Sequence, residues 1–196
     1  MSDPVEVLDY WFGEVDADSW FAGGDTLDHE IRERFLELWQ AARDGGLEHW
    51  AEGTVGTLAY LILTDQMSRN MHRGKPEAFA TDAQARVAAR RAIDAGWDMG
   101  APEPERMFFY LPFEHSEDVA DQALSVLLMT DKLPMDPDMA LHARAHQEII
   151  KKFGRFPNRN AALGRENSLE EEAFLAKGGY GAVVEALKAN SHASGA

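Results

Sequence analysis

Residues 54–71 read TVGTLAYLILTDQMSRNM, and the assignment of this stretch decides the fold. Its apolar richness suits a buried strand as well as a buried helix. Length arbitrates, because strands in globular proteins rarely exceed about ten residues. Leu58, Leu61, Ile62 and Asp65 also recur at intervals of three and four, the period of one helix face. We read a helix whose early turns are buried and whose end is polar. The charge-free run from Gly53 to Thr64 is twelve residues long, too short for a bilayer, which takes about 20.

Outward from this stretch the same spacing recurs, and strict alternation does not. Asp3 and Pro4 provide an N-cap and first helical residue for a short helix carrying Val5, Leu8, Trp11 and Phe12. Ile31, Phe35, Leu38 and Trp39 mark one face of a longer helix that Gly45 and Gly46 end. Thr81 with Gln84, and Ser168 with Glu171, each fit a capping box. ERMFFYL (105–111) carries a helical pattern up to Pro112, and Val119, Ala123, Val126, Leu127 and Met129 mark the next helix. Asp136 and Pro137 open another that runs to Phe153 and Gly154. The sum is an all-α chain of roughly eight to ten helices with short connections, a bundle or an array of helix pairs. No linker interrupts the pattern, so residues 1–190 are expected to form one domain, with 191–196 a frayed tail.

The 196 residues include 19 Lys plus Arg against 34 Asp plus Glu, a formal net charge of −15. Such a surface repels nucleic acid and anionic membranes, so neither is expected as a partner. Absence of cysteine excludes disulfides, thiolate nucleophiles and cysteine-ligated metal centres. The opening MSDPVEVLDYWFGE is acidic and has no basic start followed by an apolar stretch. It therefore does not read as a secretion signal, and a cytoplasmic location is expected.

Charge is unevenly spread. Residues 1–68 hold 15 acidic and 3 basic side chains, whereas KKFGRFPNRNAALGR (151–165) holds five basic and no acidic ones. Asp65–Arg69, Gln66–Asn70 and Arg69–Arg73 are each four apart, so each pair is expected on one helix face. These polar groups enter the end of an apolar helix, where they need partners. Gly154-Arg155-Phe156-Pro157-Asn158-Arg159-Asn160 reads as a turn that aims backbone N–H groups and two arginines at one region, with Asn160 capping a following turn. Guanidinium forks bind carboxylate or phosphate in bidentate fashion. Asp65, Arg69, Asn70, Arg73, Arg155, Arg159, Asn160 and Arg165 are therefore candidate ligand-binding residues. The competing reading is structural: the arginines compensate nearby carboxylates.

Glu114-His115-Ser116-Glu117-Asp118 has the ingredients of general acid–base chemistry, and either Ser116 or Asp118 suits an N-cap. No G-x-S-x-G elbow supports a serine nucleophile. His142 and His146, four apart, share a helix face. That spacing suits a metal, but Arg144 lies between them, H-E-x-x-H is missing and no third ligand is local, so no metal is expected. His115, His146 and Glu117 are the candidates for proton transfer. No P-loop and no dinucleotide fingerprint is present, so no cofactor is expected.

DQMSRNMHRG (65–74), ERMFFYLPFEHSED (105–118) and HQEIIKKFGRFPNRNAALGRENSLEE (146–171) resemble, in order and spacing, the hallmarks of a bacterial family known as domain of unknown function 924. The likeness extends from VLDYWFG (7–13) to FLAKGGY (174–180). It implies a tetratricopeptide-like, right-handed array of antiparallel helix pairs, and no established reaction, cofactor or catalytic residue. Asn158 stands where many relatives have His, and Met67 where they have Phe. The Asn weakens any scheme with a histidine of that turn as the essential base. The family blocks contain Asp65, Arg69, Asn70, His115, Glu117, His146, Arg155, Arg159 and Arg165, which are expected to converge into one pocket.

Three functions remain in contention. The first is a pocket for a small carboxylate or phosphate. The second is a tetratricopeptide-like interaction module presenting a groove to a protein or peptide. The third is an enzyme using His115 or His146 for proton transfer.

Overall fold

Helices carry all the regular structure in the computed structural model, which describes residues 3 to 193, with side chains through residue 190. The chain divides into two compact units, Met1–Pro112 and Phe113–Ala196. The first holds α1 (Pro4–Leu8), α2 (Ser19–Ala22), α3 (Asp25–Arg43), α4 (Gly53–Leu61), α5 (Ser68–Met71) and α6 (Asp82–Asp94). Short α7 (Leu111–Glu114) contains the boundary, and the second unit continues with α8 (Val119–Lys132), α9 (Pro137–Phe153), α10 (Leu169–Ala176) and α11 (Gly179–Ala193). Residues 194–196 of the expected frayed tail lie outside the described residues.

The stretch that decides the fold is helical throughout. Between α4 and α5 the helix widens into a π turn, Ile62–Met67, all six residues of which are buried. Widening removes main-chain groups from the i→i−4 ladder, so other donors must satisfy them. Here the Thr81 hydroxyl donates to the Thr64 carbonyl at 2.5 Å, and Trp39 Nε1 donates to the same hydroxyl at 3.3 Å. Thr81 is thus committed to the core, and it makes no side-chain cap of α6. Gln84 reaches the Arg43 carbonyl instead, so the expected capping box there does not form.

A second π turn, Asp9–Glu14, follows α1. It changes the phase of the first helix: Val7, Tyr10 and Trp11 are buried, while Val5 is 43% exposed. Trp11, Phe12 and Trp20 surround Phe108 with ring centroids 5.4 to 6.1 Å apart. On α3 the buried line is Ile31, Phe35, Trp39 and Ala42, with Leu38 only half-buried. Each fully buried Phe or Ile of this kind contributes about 1.5–3 kcal/mol over leaving it exposed. ERMFF (105–109) is a 3-10 turn rather than an α-helix, and Pro112 sits inside the first turn of α7, where its missing N–H costs nothing.

In the second unit α8 and α9, joined by residues 133–136, pack along each other, and α11 packs on α9. Ile149, Ile150 and Phe156 form its apolar centre, with Phe153, Phe174, Tyr180 and Val183 around them. Asp118 caps α8, accepting from the Ala120 and Asp121 N–H groups at 2.8 and 3.0 Å. Ser168 and Glu171 form the reciprocal capping box of α10. Gly154 ends α9 at φ +69°, a left-handed position that favours glycine.

Candidate functional site

The polar end of the 54–71 stretch resolves into ion pairs. Asp65, 1% exposed, meets Arg69 at 3.1 Å, and Arg69 reaches Asp82 at 3.2 Å. Gln66 Nε2 donates to Asp65 at 2.6 Å. Asp28 accepts from Asn70 Nδ2 at 2.8 Å and from both Nε and Nη2 of Arg73, at 2.6 and 2.9 Å. Burial pushes the Asp28 carboxyl up, but the Arg73 and Asn70 hydrogen bonds outweigh it and hold the group below the usual carboxylate range. Arg69 and Arg73, expected on one face, serve different carboxylates because α5 ends at Met71 and Arg73 leaves the helix.

The basic turn of the second unit is likewise tied to carboxylates. Arg155 forms a bidentate pair with Glu171, at 2.7 and 2.8 Å, and also donates to the Glu166 carbonyl at 2.9 Å. Arg165 forms a second fork on Glu117, at 2.8 and 3.0 Å, and Glu117 accepts the Phe156 N–H at 2.8 Å. The Glu171 carboxyl is lowered to about 2, first by Arg155 and then by the Ser168 N–H. Burial raises the Glu117 carboxyl, and Arg165 with the Phe156 N–H brings it back below its ordinary value. Asn160 caps no following helix. Its side chain accepts from Arg165 Nε and donates to Asn167, both at 2.8 Å, which holds the turn in shape.

Arg69, Arg73, Arg155 and Arg165 therefore each face an internal carboxylate. An anion binding to any of the four would have to displace that partner. The Arg159 guanidinium lies 4.4 Å over the Phe156 ring, a cation–π contact, and its charge also acts on Glu117.

Beside Phe156 lies a cluster of imidazoles. His146 Nδ1 is 3.0 Å from Glu114 Oε1 and 2.9 Å from the His142 carbonyl. Its ring packs on Phe156 at 5.5 Å, Tyr180 at 4.7 Å and His115 at 6.3 Å between centroids. His142 Nδ1 hydrogen-bonds the Tyr180 hydroxyl. Glu114 is 4% exposed, and its second oxygen, Oε2, is buried without a hydrogen bond. Burial raises the Glu114 carboxyl, and the nearby His146, His115 and His142 pull it below its ordinary value. Burial, with Glu114 nearby, raises the Tyr180 hydroxyl, which keeps its proton.

Ser116, the weak nucleophile candidate, donates to Asp121 at 2.8 Å and accepts the Asp118 N–H at 3.2 Å. Its hydroxyl is occupied by the turn into α8. Among the described residues no three His, Asp or Glu side chains are arranged to hold a metal ion.

Of the expected site residues, Asp65, Arg69, Asn70 and Arg73 belong to the first unit. His115, Glu117, His146, Arg155, Arg159, Asn160 and Arg165 belong to the second. Glu114 and Tyr180 were not among the expected site residues. Glu114 had a legible signal, a lone carboxylate at the end of the apolar run FFYLPFE (108–114), since a buried charge needs a partner. Tyr180, after Gly178–Gly179, had none.

The chain is all-helical, and its second unit holds a carboxylate–histidine pair beside a basic turn. More narrowly, the chain belongs to the bacterial family of proteins of unknown function DUF924, whose model matches residues 7–179. It is similar to the solved structure of a protein of unknown function from Agrobacterium tumefaciens, ATU0120. The two are 38% identical with a TM-score of 0.82, over 88% of this chain and 96% of that one. No curated protein matches.

Proposed function

We propose that this chain binds a small carboxylate- or phosphate-bearing molecule at a strip of the second unit formed by His115, His146, Phe156 and Arg159. The observation that carries the reading is the placement of His146. Its Nδ1 is engaged by Glu114 and the His142 carbonyl, while its Nε2 makes no hydrogen bond among the described residues. Phe156 connects that ring to the Arg159 guanidinium through ring contacts of 5.5 and 4.4 Å. A cation, a ring face and an imidazole nitrogen in sequence suit a small anion with further polar groups. The remaining arginines act differently: Arg155 and Arg165 lock the turn that presents Arg159.

Titration of the full chain with inorganic phosphate and with acetate, at constant ionic strength against a chloride control, tests this. The histidine ring resonances of His146 and His115 should shift saturably by NMR. Saturation at about a hundred times Kd should add about 2.7 kcal/mol to stability. Arg159→Gln should abolish the shift and keep the fold, whereas Arg155→Gln should lower stability. If neither anion moves any imidazole resonance beyond the chloride control, the site is not an anion site.

A further inference from the structure

The His146 ring is held in one particular protonation form. Its Nδ1 has two close neighbours, the His142 carbonyl and the Glu114 carboxylate, at 2.9 and 3.0 Å. Both are acceptors, so a neutral ring must carry its proton on Nδ1 and expose its lone pair at Nε2. Free imidazole side chains offer no such constraint. Glu114 sits at the end of α7 and His146 in the middle of α9, so two elements fix the pair.

A second observation concerns Glu114 itself. It is 4% exposed, and Oε2 has no hydrogen bond. A buried carboxylate with an unfilled oxygen is poorly compensated. Tyr180 closes the other side of the ring at 4.7 Å, and its hydroxyl is engaged by His142. Glu114 therefore orients the imidazole, with Oε1 facing Nδ1.

We propose that His146 is a general base acting through Nε2 and that Glu114 is its positioning residue. The proposal rests on the anion-binding reading for its substrate, a small carboxylate or phosphate compound that carries a hydroxyl or is attacked by water. In the step, the O–H bond of that hydroxyl or water breaks, its electron pair forms a bond from oxygen to the compound's ester carbonyl carbon or phosphorus, and the bond from that atom to its leaving oxygen breaks. The proton forms an N–H bond at Nε2. The resulting imidazolium keeps Nδ1–H on Glu114 and returns the Nε2 proton to the departing oxygen.

The test uses the full chain labelled with ¹⁵N histidine. Above the titration range, wild-type His146 should give a protonated Nδ1 signal and an unprotonated Nε2 signal. The opposite tautomer would overturn the proposal, and this measurement needs no variant. In Glu114→Gln the amide can donate to Nδ1, so the population should move toward Nε2–H. An unchanged tautomer would remove Glu114 from its role.

Reactivity gives an independent readout. In diethyl pyrocarbonate, Nε2 attacks a carbonyl carbon, an N–C bond forms, a C–O bond breaks, and the ethyl carbonate released takes up the proton lost from Nδ1 and splits into carbon dioxide and ethanol. Mapped by peptide, modification of His146 should slow in Glu114→Gln, because the Nε2 lone pair is lost to the other tautomer, while exposed His29 reacts unchanged. Equal rates at His146 in both proteins would overturn the base assignment. Phosphate titration separates the two ideas: a correct tautomer without an anion shift sinks the ligand reading alone. An anion shift with the wrong tautomer sinks the base alone.

Discussion

Glu171 illustrates how one side chain acquires two duties. It closes the capping box of α10 and receives the fork of Arg155. Its carboxyl is lowered to about 2, against about 4.3 in an unfolded chain. A group whose folded pKa is depressed contributes stability above its unfolded pKa and loses it as pH falls toward the folded value. The Glu171 contribution should therefore be full at pH 6 and decline between about 4.3 and about 2. Urea unfolding at pH 6 and pH 3 checks this: wild type should lose more stability between the two than Glu171→Gln, and parallel losses would refute it. Asp28 makes the corresponding case in the first unit. Asp28→Ala leaves Asn70 and Arg73 without their acceptor, and the buried amide should cost about 1–3 kcal/mol. Arg73 is half exposed and resolvates in that variant, whereas Arg73→Ala leaves the buried Asp28 carboxylate with Asn70 as its side-chain donor and should cost more. A urea series on the two variants gives the order.

At the ends of elements, backbone geometry and capping decide stability. Ser168→Ala removes one half of a capping box whose both bonds are made, at a cost of about 1 kcal/mol. Gly154→Ala has open space for its methyl but must hold φ +69°, so pure backbone strain of about 1–2 kcal/mol is expected. Gly13 is the contrasting position. It has open space and no positive φ, so Gly13→Ala should stabilise by about 0.4–1 kcal/mol through the unfolded state. Thermal unfolding of the three variants side by side tests the signs. Destabilisation at Gly13 equal to that at Gly154 would show that glycine content, not φ, sets the cost. Thr81 forms no capping box because the π turn upstream claims its hydroxyl.

Over the whole molecule the excess of acid is the dominant fact. A net charge of −15 opposes any polyanion, because counterion release rewards only cationic surfaces. Fluorescence polarisation with labelled duplex DNA at 50 mM salt should stay flat to micromolar protein, and a saturating rise would contradict the charge argument. No helix among the described residues is long and apolar enough to cross a membrane. A small anion faces the same repulsion, so a local cation such as Arg159 has to outweigh it at short range. Screening confines that competition to about 10 Å at 0.1 M salt.

The amino-acid order alone determined the helical class, since 3.6-residue periodicity and glycine stops are local properties of the chain. It also determined the capping of α1 and α10, where donor and acceptor lie within three residues, and narrowed that of α8 to Ser116 or Asp118, of which the structure uses Asp118. The family blocks contain His115, His146, Arg155 and Arg165. Tertiary structure decided everything that depends on partners distant along the chain. Only packing shows that Arg155 and Arg165 lie on Glu171 and Glu117, 16 and 48 residues away. Only packing brings Glu114 and Tyr180 to the His146 ring. Periodicity reports which face of a helix is buried, whereas an ion pair or a tautomer depends on what that face meets, and that is set by how the helices pack.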